Sequence, residues 1–491
     1  MAVAEPEVRV AAGAVRGRLE SGVAVFKGIP FAETPARFAA PEPVATWDGT
    51  RDALSYGPPP PQSGFFGMDA LAKSPDGWLT VNVWTPDPAA NLPVMVWIQG
   101  GGYVFGTSGL PEYDGGRLAR DGGIVVVTFN YRVGIEGFAQ IGTAPANRGL
   151  LDQVAALEWV RDNIGAFGGD ADQVTVFGQS AGGGSVAALL AMPRATGLFR
   201  RAIVQSMPGT YFTPELAADI AGVLAAELGL TPAELATVPP GELPAVGDGL
   251  VAKIGRYADR WGLAVHRRVP LGPVVDGSTL PTDPWQALAG GAARDVDLIA
   301  GHVRDEQRLF DLIDGTLGRV TEEQAATALE LFAPGPDGVA QYRAAGGSPD
   351  ELYDQVHSDW LFRMPSLHLA EAHTGRTFVY ELTWPAPGMG GVLGACHGLD
   401  VPLVLGNLTS GQPALLLGDD LSEAEIVSAQ MRGAWTRFAI DGEPGWPAYD
   451  RDTRLTRLFD TEPAVVPYPE EVSRRIWQDH VFSVLPLITQ V

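Results

Sequence analysis

A serine lies between glycines directly after a strand-like run, in the segment Gly178-Gln179-Ser180-Ala181-Gly182. The apolar run QVTVF precedes this segment and the helix-forming run VAALLAM follows it. In such a strand–turn–helix context, a Gly-x-Ser-x-Gly pattern presents the serine hydroxyl above the end of a parallel sheet. A serine is a weak nucleophile until a base activates it, and the base needs an acid to orient it. The pattern therefore predicts acyl transfer with Ser180 as the nucleophile.

One of the seven histidines suits the role of the base. His397 lies in the loop-like segment LGACHGLD before the apolar run VPLVL, where a histidine can reach over the edge of a sheet. His266 and His302 come before the candidate acid, whereas the chain order of this architecture is serine, acid, histidine. The remaining histidines lie in helical or amphipathic stretches, at His357, His368, His373 and His480.

Two adjacent carboxylates are candidates for the acid. Asp305 and Glu306 follow the strand-like run DLIAG at its carboxyl end. Ligands bind at the carboxyl ends of the strands in open parallel sheets, so either side chain is well placed to orient a histidine. The residues alone leave this choice open, and a solvated acidic pair is the competing interpretation.

A run of glycines provides the third element of the chemistry. The segment Gln99-Gly100-Gly101-Gly102-Tyr103 follows the strand-like run LPVMVWI. Glycines let backbone N–H groups point at a developing oxyanion, and each such donor contributes on the order of 10² to 10³ to turnover. The N–H of Ala181, next to the serine, is a further donor. The run lacks the lysine of a P-loop and the spacing of a dinucleotide site, which argues against a nucleotide.

Short strands alternating with helices must position these residues. Strand-like runs alternate with helical ones such as LLDQVAALEWVRDNI, and they are LTVNVWTP, LPVMVWI, IVVVTFNYR, QVTVF, RAIVQS, DLIAG and TFVYEL. This alternation predicts an α/β fold with a large, mostly parallel sheet covered by helices on both faces. The alternating segment VRVAAGAVRGRLESGVAVFKGIPFA predicts a small N-terminal antiparallel sheet. We expect one catalytic domain over residues 1–491, with helical insertions over the site at 213–262 and 320–375.

Composition narrows the class of protein. The 491 residues are 46% hydrophobic and 19% charged, as in a globular chain, and the formal net charge of −24 disfavours nucleic acids and anionic membranes as partners. The single cysteine, Cys396, excludes an intrachain disulfide and a cysteine-rich metal site, and we expect it to be a packed thiol.

Residues 1–13 lack the apolar run of a secretory signal, and no apolar run is long enough to span a membrane. We expect a cytoplasmic monomer or homodimer.

The motifs resemble the type-B carboxylesterase family of α/β-hydrolases, which includes bacterial para-nitrobenzyl esterases and, more distantly, cholinesterases. Nearly the whole chain is in register with this family. The matching segments include VFKGIPFAETPA, LPVMVWIQGGGYVFG, VVVTFNYRVGIEGF, NRGLLDQVAALEWVRDNIGAFGGDADQVTVFGQSAGGGS, GPVVDGSTLP, GHVRDEQRLF and CHGLDVPLVLGN.

The resemblance implies a role for each candidate. Ser180 becomes the nucleophile, His397 the base and Glu306, not Asp305, the acid. It further implies Ser206 as a partner close to this triad. The implied oxyanion hole consists of the N–H groups of Gly101, Gly102 and Ala181.

Four positions depart from the family pattern, and one of them, Gly77, stands where an acidic residue is usual. Gln99 stands where a histidine or another ring is usual before the glycines. Met207 and Gln307 stand where small residues are commoner, and both are expected to narrow the pocket. The side chains placed by position in an apolar cleft, although each also suits the core, are Tyr103, Phe105, Met207, Leu271, Phe310 and Phe362.

The expected function is that of a serine carboxylesterase that hydrolyses uncharged carboxylic esters through an acyl-enzyme, without a cofactor or a metal. The same triad serves lipases and hydrolases of lactones, carbamates and aromatic polyesters, which remain alternatives. No cluster of cationic residues accompanies the motifs, so we do not expect charged acyl groups. A non-catalytic adhesion protein on the same fold is disfavoured, because that route loses the nucleophile or the histidine and this chain has both.

Overall fold

The computed structural model describes residues 5–71, 76–267 and 269–488. Eleven of its strands form one large sheet, and the others form two small sheets. The strands are β1 (Glu7–Val10), β2 (Gly13–Arg16), β3 (Arg18–Glu20), β4 (Val23–Pro30), β5 (Ala32–Glu33), β6 (Glu42–Pro43), β7 (Thr50–Asp52), β8 (Thr80–Thr85), β9 (Leu92–Ile98), β10 (Val125–Phe129), β11 (Gly169–Gln179), β12 (Arg201–Gln205), β13 (Asp297–Val303), β14 (Thr377–Leu382), β15 (Leu455–Phe459) and β16 (Ala464–Pro467).

The large sheet is parallel at its centre and antiparallel at its edges. Its order is β16-β15-β14-β13-β12-β11-β9-β10-β8-β4-β3. All neighbours from β15 to β10 run parallel, whereas β10 pairs antiparallel with β8, β8 with β4, β4 with β3, and β15 with β16. The prediction of a mostly parallel central sheet is confirmed.

Helices cover the sheet and connect its strands. They are α1 (Gly116–Gly122), α2 (Gly134–Phe138), α3 (Arg148–Asn163), α4 (Ala181–Ala191), α5 (Pro214–Ala226), α6 (Leu243–Val251), α7 (Ala258–Trp261), α8 (Pro284–Ala289), α9 (Arg308–Asp314), α10 (Glu322–Phe332), α11 (Gly338–Ala345), α12 (Pro349–Ser358), α13 (Met364–Ala372), α14 (Asp400–Leu405), α15 (Ala414–Leu417), α16 (Ser422–Asp441) and α17 (Glu471–Trp477). Within the described ranges no helix combines the length and the apolar character that crossing a bilayer requires.

Two hydrophobic cores lie on opposite faces of the sheet. Along β9, Val94 and Val96 pack into one core and Met95 and Trp97 into the other. This alternation follows from the period of two along a strand, and it explains why the strand is apolar throughout. Helices α3 and α4 cover the first core, and α16 covers the second.

The small N-terminal sheet is smaller than the sequence pattern suggests. It contains β1 and β2, which pair antiparallel, and β7, which pairs parallel with β2. Strands β3 and β4 instead extend the large sheet. In β4, Phe26 packs into one core and Val25 into the other, so this strand is buried on both faces and belongs at the central sheet.

Helical segments occur in both stretches expected to be insertions. Helices α5 to α7 lie between residues 213 and 262, and α10 to α13 lie between 320 and 375, with a π-helical turn at Asp359–Arg363. The C-terminal segment is tied to the first stretch, because the N–H of Thr213 donates to the carbonyl of Leu485 at 3.0 Å.

Candidate active site

Ser180 forms the sharp turn between β11 and α4. Its backbone has φ 58° and ψ −125°, a conformation that is strained for a residue other than glycine. The neighbouring glycines make the turn possible, because a Cβ at Gly182 would collide with the carbonyl of Ile98 and one at Gly178 would lie 2.7 Å from the Gly182 carbonyl carbon. The turn is held by a hydrogen bond from the Ser180 N–H to the carbonyl of Gln205 at 3.0 Å.

His397 and Glu306 form a buried pair at the carboxyl end of β13. The Nδ1 atom of His397 lies 2.5 Å from Oε2 of Glu306, and the other carboxylate oxygen accepts the N–H of Val303 at 3.1 Å. Glu306 is fully buried and His397 is only 6% exposed. A carboxylate at Nδ1 fixes the orientation of the ring and leaves Nε2 as the basic nitrogen.

Asp305 makes different contacts from its neighbour Glu306. Its Oδ2 atom accepts the N–H of Ala395 at 2.8 Å, and its Oδ1 atom pairs with Nη2 of Arg308 at 2.9 Å. The backbone N–H of Asp305 also donates to the carbonyl of Ala395 at 2.9 Å. Asp305 therefore holds the loop that carries His397, while Glu306 contacts the ring.

The free side of the imidazole faces the residue before the serine. Nε2 of His397 lies 3.2 Å from the side-chain nitrogen of Gln179, whose amide donates to it. In the described chain the Ser180 hydroxyl makes no hydrogen bond of its own. Catalytic hydrogen bonds are often long or absent before substrate binds, so a serine without this bond is compatible with a role as the nucleophile. Sequence analysis did not single out Gln179, although its place in the motif was visible.

The glycine turn after β9 presents free N–H groups beside the serine. Gly101 and Gly102 have φ of 106° and 60°, in the left-handed region that favours glycine. Among the described residues, none accepts a hydrogen bond from the N–H of Gly101, Gly102 or Ala181. A Cβ at Gly100 would lie 3.2 Å from the Cβ of Ser180, so the turn and the serine are immediate neighbours.

Comparison with known proteins agrees with this geometry. The model of the carboxylesterase family matches residues 4–332, which is more than half of the chain. The chain belongs to the carboxylesterase family. It is 38% identical over 486 residues to the para-nitrobenzyl esterase of Bacillus subtilis (strain 168), a match covering 94% of this chain and 96% of that protein.

Other relatives also match this chain over nearly its full length. The phenmedipham hydrolase of Pseudarthrobacter oxydans is 33% identical over 490 residues, with 94% of this chain and 97% of that protein covered. A solved carboxylesterase of Geobacillus stearothermophilus has a TM-score of 0.85 at 34% identity and covers 96% of this chain and 100% of its own. The protein is thus a serine carboxylesterase that hydrolyses esters, on the α/β-hydrolase fold.

In this carboxylesterase, two phenylalanines expected in the cleft lie against the imidazole. The rings of Phe310 and Phe362 stack with centroids 5.9 Å apart and an interplanar angle of 9°. The centroid of the His397 ring lies 5.2 Å from that of Phe310 and 4.3 Å from that of Phe362. One face of the histidine is therefore covered by apolar surface.

The other side chains expected in the cleft have separate surroundings in this carboxylesterase. Tyr103 is buried with its hydroxyl against Gly184, and its ring lies 4.9 Å from that of Phe138. Leu271 lines a small cavity, the ring of Phe105 lies 6.3 Å from that of Phe65, and Met207 is fully buried.

Of the positions that differ from the family pattern, Gly77 is exposed, whereas Gln99, Met207 and Gln307 are buried. Both polar side-chain atoms of Gln99 lack a hydrogen-bond partner among the described residues. The side-chain nitrogen of Gln307 donates to Asp311 at 2.8 Å, so this amide is held on its own helix. The hydroxyl of Ser206 also lacks a partner in the described part of the chain, and its backbone has φ 48°.

Two buried groups flank His397 in sequence. Asp400 accepts the side-chain N–H of Gln205 at 2.7 Å and the hydroxyl of Tyr380 at 3.3 Å, and burial raises its pKa to about 6. Sequence analysis missed this carboxylate, whose only signal was its spacing of three residues from the histidine. Cys396 is fully buried, which confirms the prediction of a packed thiol, and burial raises the pKa of this thiol to about 12.

Proposed function

We propose that this carboxylesterase forms an acyl-enzyme on Ser180, with His397 as the base and Glu306 as the acid. The observation that supports the proposal best is the contact of 2.5 Å between Nδ1 of His397 and Glu306, beside a serine in a strained turn. The proposed oxyanion hole consists of the N–H groups of Gly101, Gly102 and Ala181.

In the acylation step, His397 Nε2 takes the proton of the Ser180 hydroxyl while the oxygen attacks the ester carbonyl. The three N–H groups donate hydrogen bonds to the oxyanion of the tetrahedral intermediate, where they contribute most because the charge is new. The carboxylate of Glu306 stabilises the imidazolium that forms. The alcohol then leaves with the proton that His397 returns.

In the deacylation step, water replaces the alcohol. His397 takes a proton from this water as its oxygen attacks the acyl carbonyl, and the same N–H groups stabilise the second oxyanion. Collapse releases the carboxylic acid and restores the Ser180 hydroxyl. No redox step or external group transfer is needed for the balance of the reaction.

The substitution Ser180→Ala tests the proposal with the uncharged ester p-nitrophenyl butyrate. Removing a triad serine lowers turnover by about 10⁶, so hydrolysis should fall to background. Ser278→Ala is the matched control, because Ser278 is an exposed serine outside the motifs and its variant should retain full activity. Retention of more than about 1% of the activity by Ser180→Ala would contradict the assignment of the nucleophile.

The proposal extends to assembly and compartment. A chain with one cysteine suits a reducing compartment, which supports action in the cytoplasm. We propose a monomer or a homodimer in solution. Light scattering on the purified protein should give one or two chain masses, and a larger assembly would overturn this part.

A further inference from the structure

Arg267 is a buried cation for which the described part of the chain offers no counter-ion. It ends the 3₁₀ helix Gly262–Arg267 and is only 7% exposed. Its Nη1 atom has no hydrogen-bond partner, and no carboxylate among the described residues forms an ion pair with it. Burial of an unpaired charge is costly, so an arginine in this state needs an explanation.

Among the described residues, the two most buried arginines have hydrogen-bond partners, in contrast to Arg267. Nη2 of Arg132 pairs with Asp152 at 2.7 Å, and its Nε donates to the same carboxylate at 2.8 Å. Arg148 donates to backbone carbonyls, among them that of Glu136 at 2.8 Å. The fold therefore supplies partners when it buries an arginine for structural reasons.

The surroundings of Arg267 are apolar and aromatic. Its Cζ atom lies 4.8 Å from the centre of the Phe212 ring, and its Nη1 lies 2.8 Å from where a Cβ on Gly272 would stand. Burial lowers the pKa of Arg267 to about 10, with small opposing effects of Tyr103 and Tyr211. The guanidinium is therefore still charged at neutral pH.

The segment that carries Arg267 packs on the glycine turn of the site. Two residues further on, a methyl group of Val269 lies 3.2 Å from where a Cβ on Gly102 would stand. Tyr103, which follows Gly102, is within electrostatic range of Arg267 and has its hydroxyl against Gly184. Gly184 in turn donates its N–H to the carbonyl of Ser180 at 2.9 Å. Arg267 thus lies on a segment that packs against the glycine turn of the candidate oxyanion hole.

We propose that Arg267 is the carboxylate-binding subsite of this esterase, and that its substrates include esters carrying a free carboxylate. A guanidinium is a planar fork of N–H donors that matches a carboxylate in a bidentate pair. The aromatic neighbour Phe212 excludes water, which strengthens such a pair. The inference rests on the proposed function of Ser180, and it differs from the expectation of uncharged esters alone. Sequence analysis found no cation near the motifs because folding creates this proximity.

The test compares esters that differ only in charge. One pair carries the carboxylate in the acyl part, as mono-4-nitrophenyl glutarate and its methyl ester. The other carries it in the alcohol part, as 4-acetoxybenzoate and its methyl ester. In one of the two pairs, Arg267→Met should lower kcat/KM for the anionic ester by about 100-fold. For the neutral esters of both pairs, kcat/KM should stay within about threefold of the wild-type value.

Two further variants serve as controls. Arg267→Lys keeps the charge and should recover part of the activity on the anionic ester. Arg256→Met removes an exposed arginine near the same segment and should change neither ester. Equal losses on the anionic and neutral members in Arg267→Met would assign Arg267 to packing against Phe212 and overturn the proposal.

A measurement on the wild-type protein keeps the proposal testable if Arg267→Met does not fold. Free glutarate should inhibit hydrolysis of the neutral ester competitively, whereas the uncharged glutaramide should not. Equal inhibition by both compounds, or by neither, would overturn the subsite. Failure of the proposed function is distinguishable, because Ser180→Ala would then retain hydrolysis of the neutral ester.

Discussion

Asp305 and Glu306 are adjacent carboxylates that the fold uses in different ways. The carboxylate of Glu306 is fully buried against His397, whereas that of Asp305 binds the backbone of Ala395 and Arg308. Successive residues after a strand direct their side chains differently, so adjacency in sequence does not mean a shared task. Residue type and spacing alone do not distinguish the two carboxylates, but their contacts do.

The substitutions Glu306→Gln and Asp305→Asn form a matched pair. Glu306→Gln should lower kcat for p-nitrophenyl butyrate by about 10⁴, because an amide no longer stabilises the imidazolium or fixes the tautomer of His397. Asp305→Asn should stay within about tenfold of the wild type, since its amide oxygen can still accept the N–H of Ala395. Steady-state kinetics with melting curves checks both. The opposite order of effects would assign the acid to Asp305.

Some residues at the site were beyond the reach of sequence analysis. Gln179 approaches His397 from its own turn, and Asp400 is buried against Gln205 from another strand. The segment that carries Arg267 reaches the glycine turn through the packing of Val269 on Gly102. Each of these proximities joins segments far apart in the chain, and neither periodicity nor motif spacing carries that information.

Among the elements, the strands were the most predictable. The seven strand-like runs correspond to β8 through β14, because continuous burial on both faces gives each strand an unbroken apolar run. The N-terminal strands were harder to assign. Alternation predicted their conformation, but their choice between the small and the large sheet depends on non-local pairing, as of β4 with β8.

The glycine turn after β9 is the element on which the proposed oxyanion hole depends. At Gly101, φ is 106°, and a Cβ would collide with the carbonyl of Phe105. Gly101→Ala must therefore shift the turn and misplace its N–H donors. We expect kcat to fall by at least about 100-fold in steady-state assays.

A glycine in an ordinary helix provides the control for Gly101→Ala. Gly222 lies in α5, and no atom lies within 4 Å of where its Cβ would stand. Gly222→Ala should leave activity unchanged and raise the free energy of unfolding by about 0.5–1 kcal/mol, measured by urea denaturation. Full activity of Gly101→Ala would show that the turn is not the oxyanion hole.

The whole molecule organises its chemistry around one edge of the large sheet. The turns after β9, β11 and β13 carry the glycine run, Ser180 and Glu306, all at carboxyl ends of parallel strands. This arrangement followed from the predicted topology, which is why the candidate triad was predictable. The placement of the helices over that edge was not, because it depends on packing between distant segments.

The formal net charge of −24 acts at the scale of the whole molecule. It repels an anionic ester over roughly 10 Å at moderate ionic strength, whereas a buried pair with Arg267 is screened much less. Raising salt from about 10 mM to about 150 mM should therefore increase kcat/KM for the anionic ester severalfold. For the neutral ester, kcat/KM should not change with salt in the same assays. A decrease for the anionic ester would mean that a local positive field dominates its approach.

Cys396 allows the free energy of local opening at the site to be measured. Because it is the single thiol of the chain and is fully buried next to His397, an alkylating reagent can reach it only when this loop detaches from its packing. The ratio of the alkylation rates in the native and the urea-unfolded protein gives the free energy of that local opening. One sulfur atom thus reports how often the enzyme, while otherwise folded, loses the loop that holds its histidine.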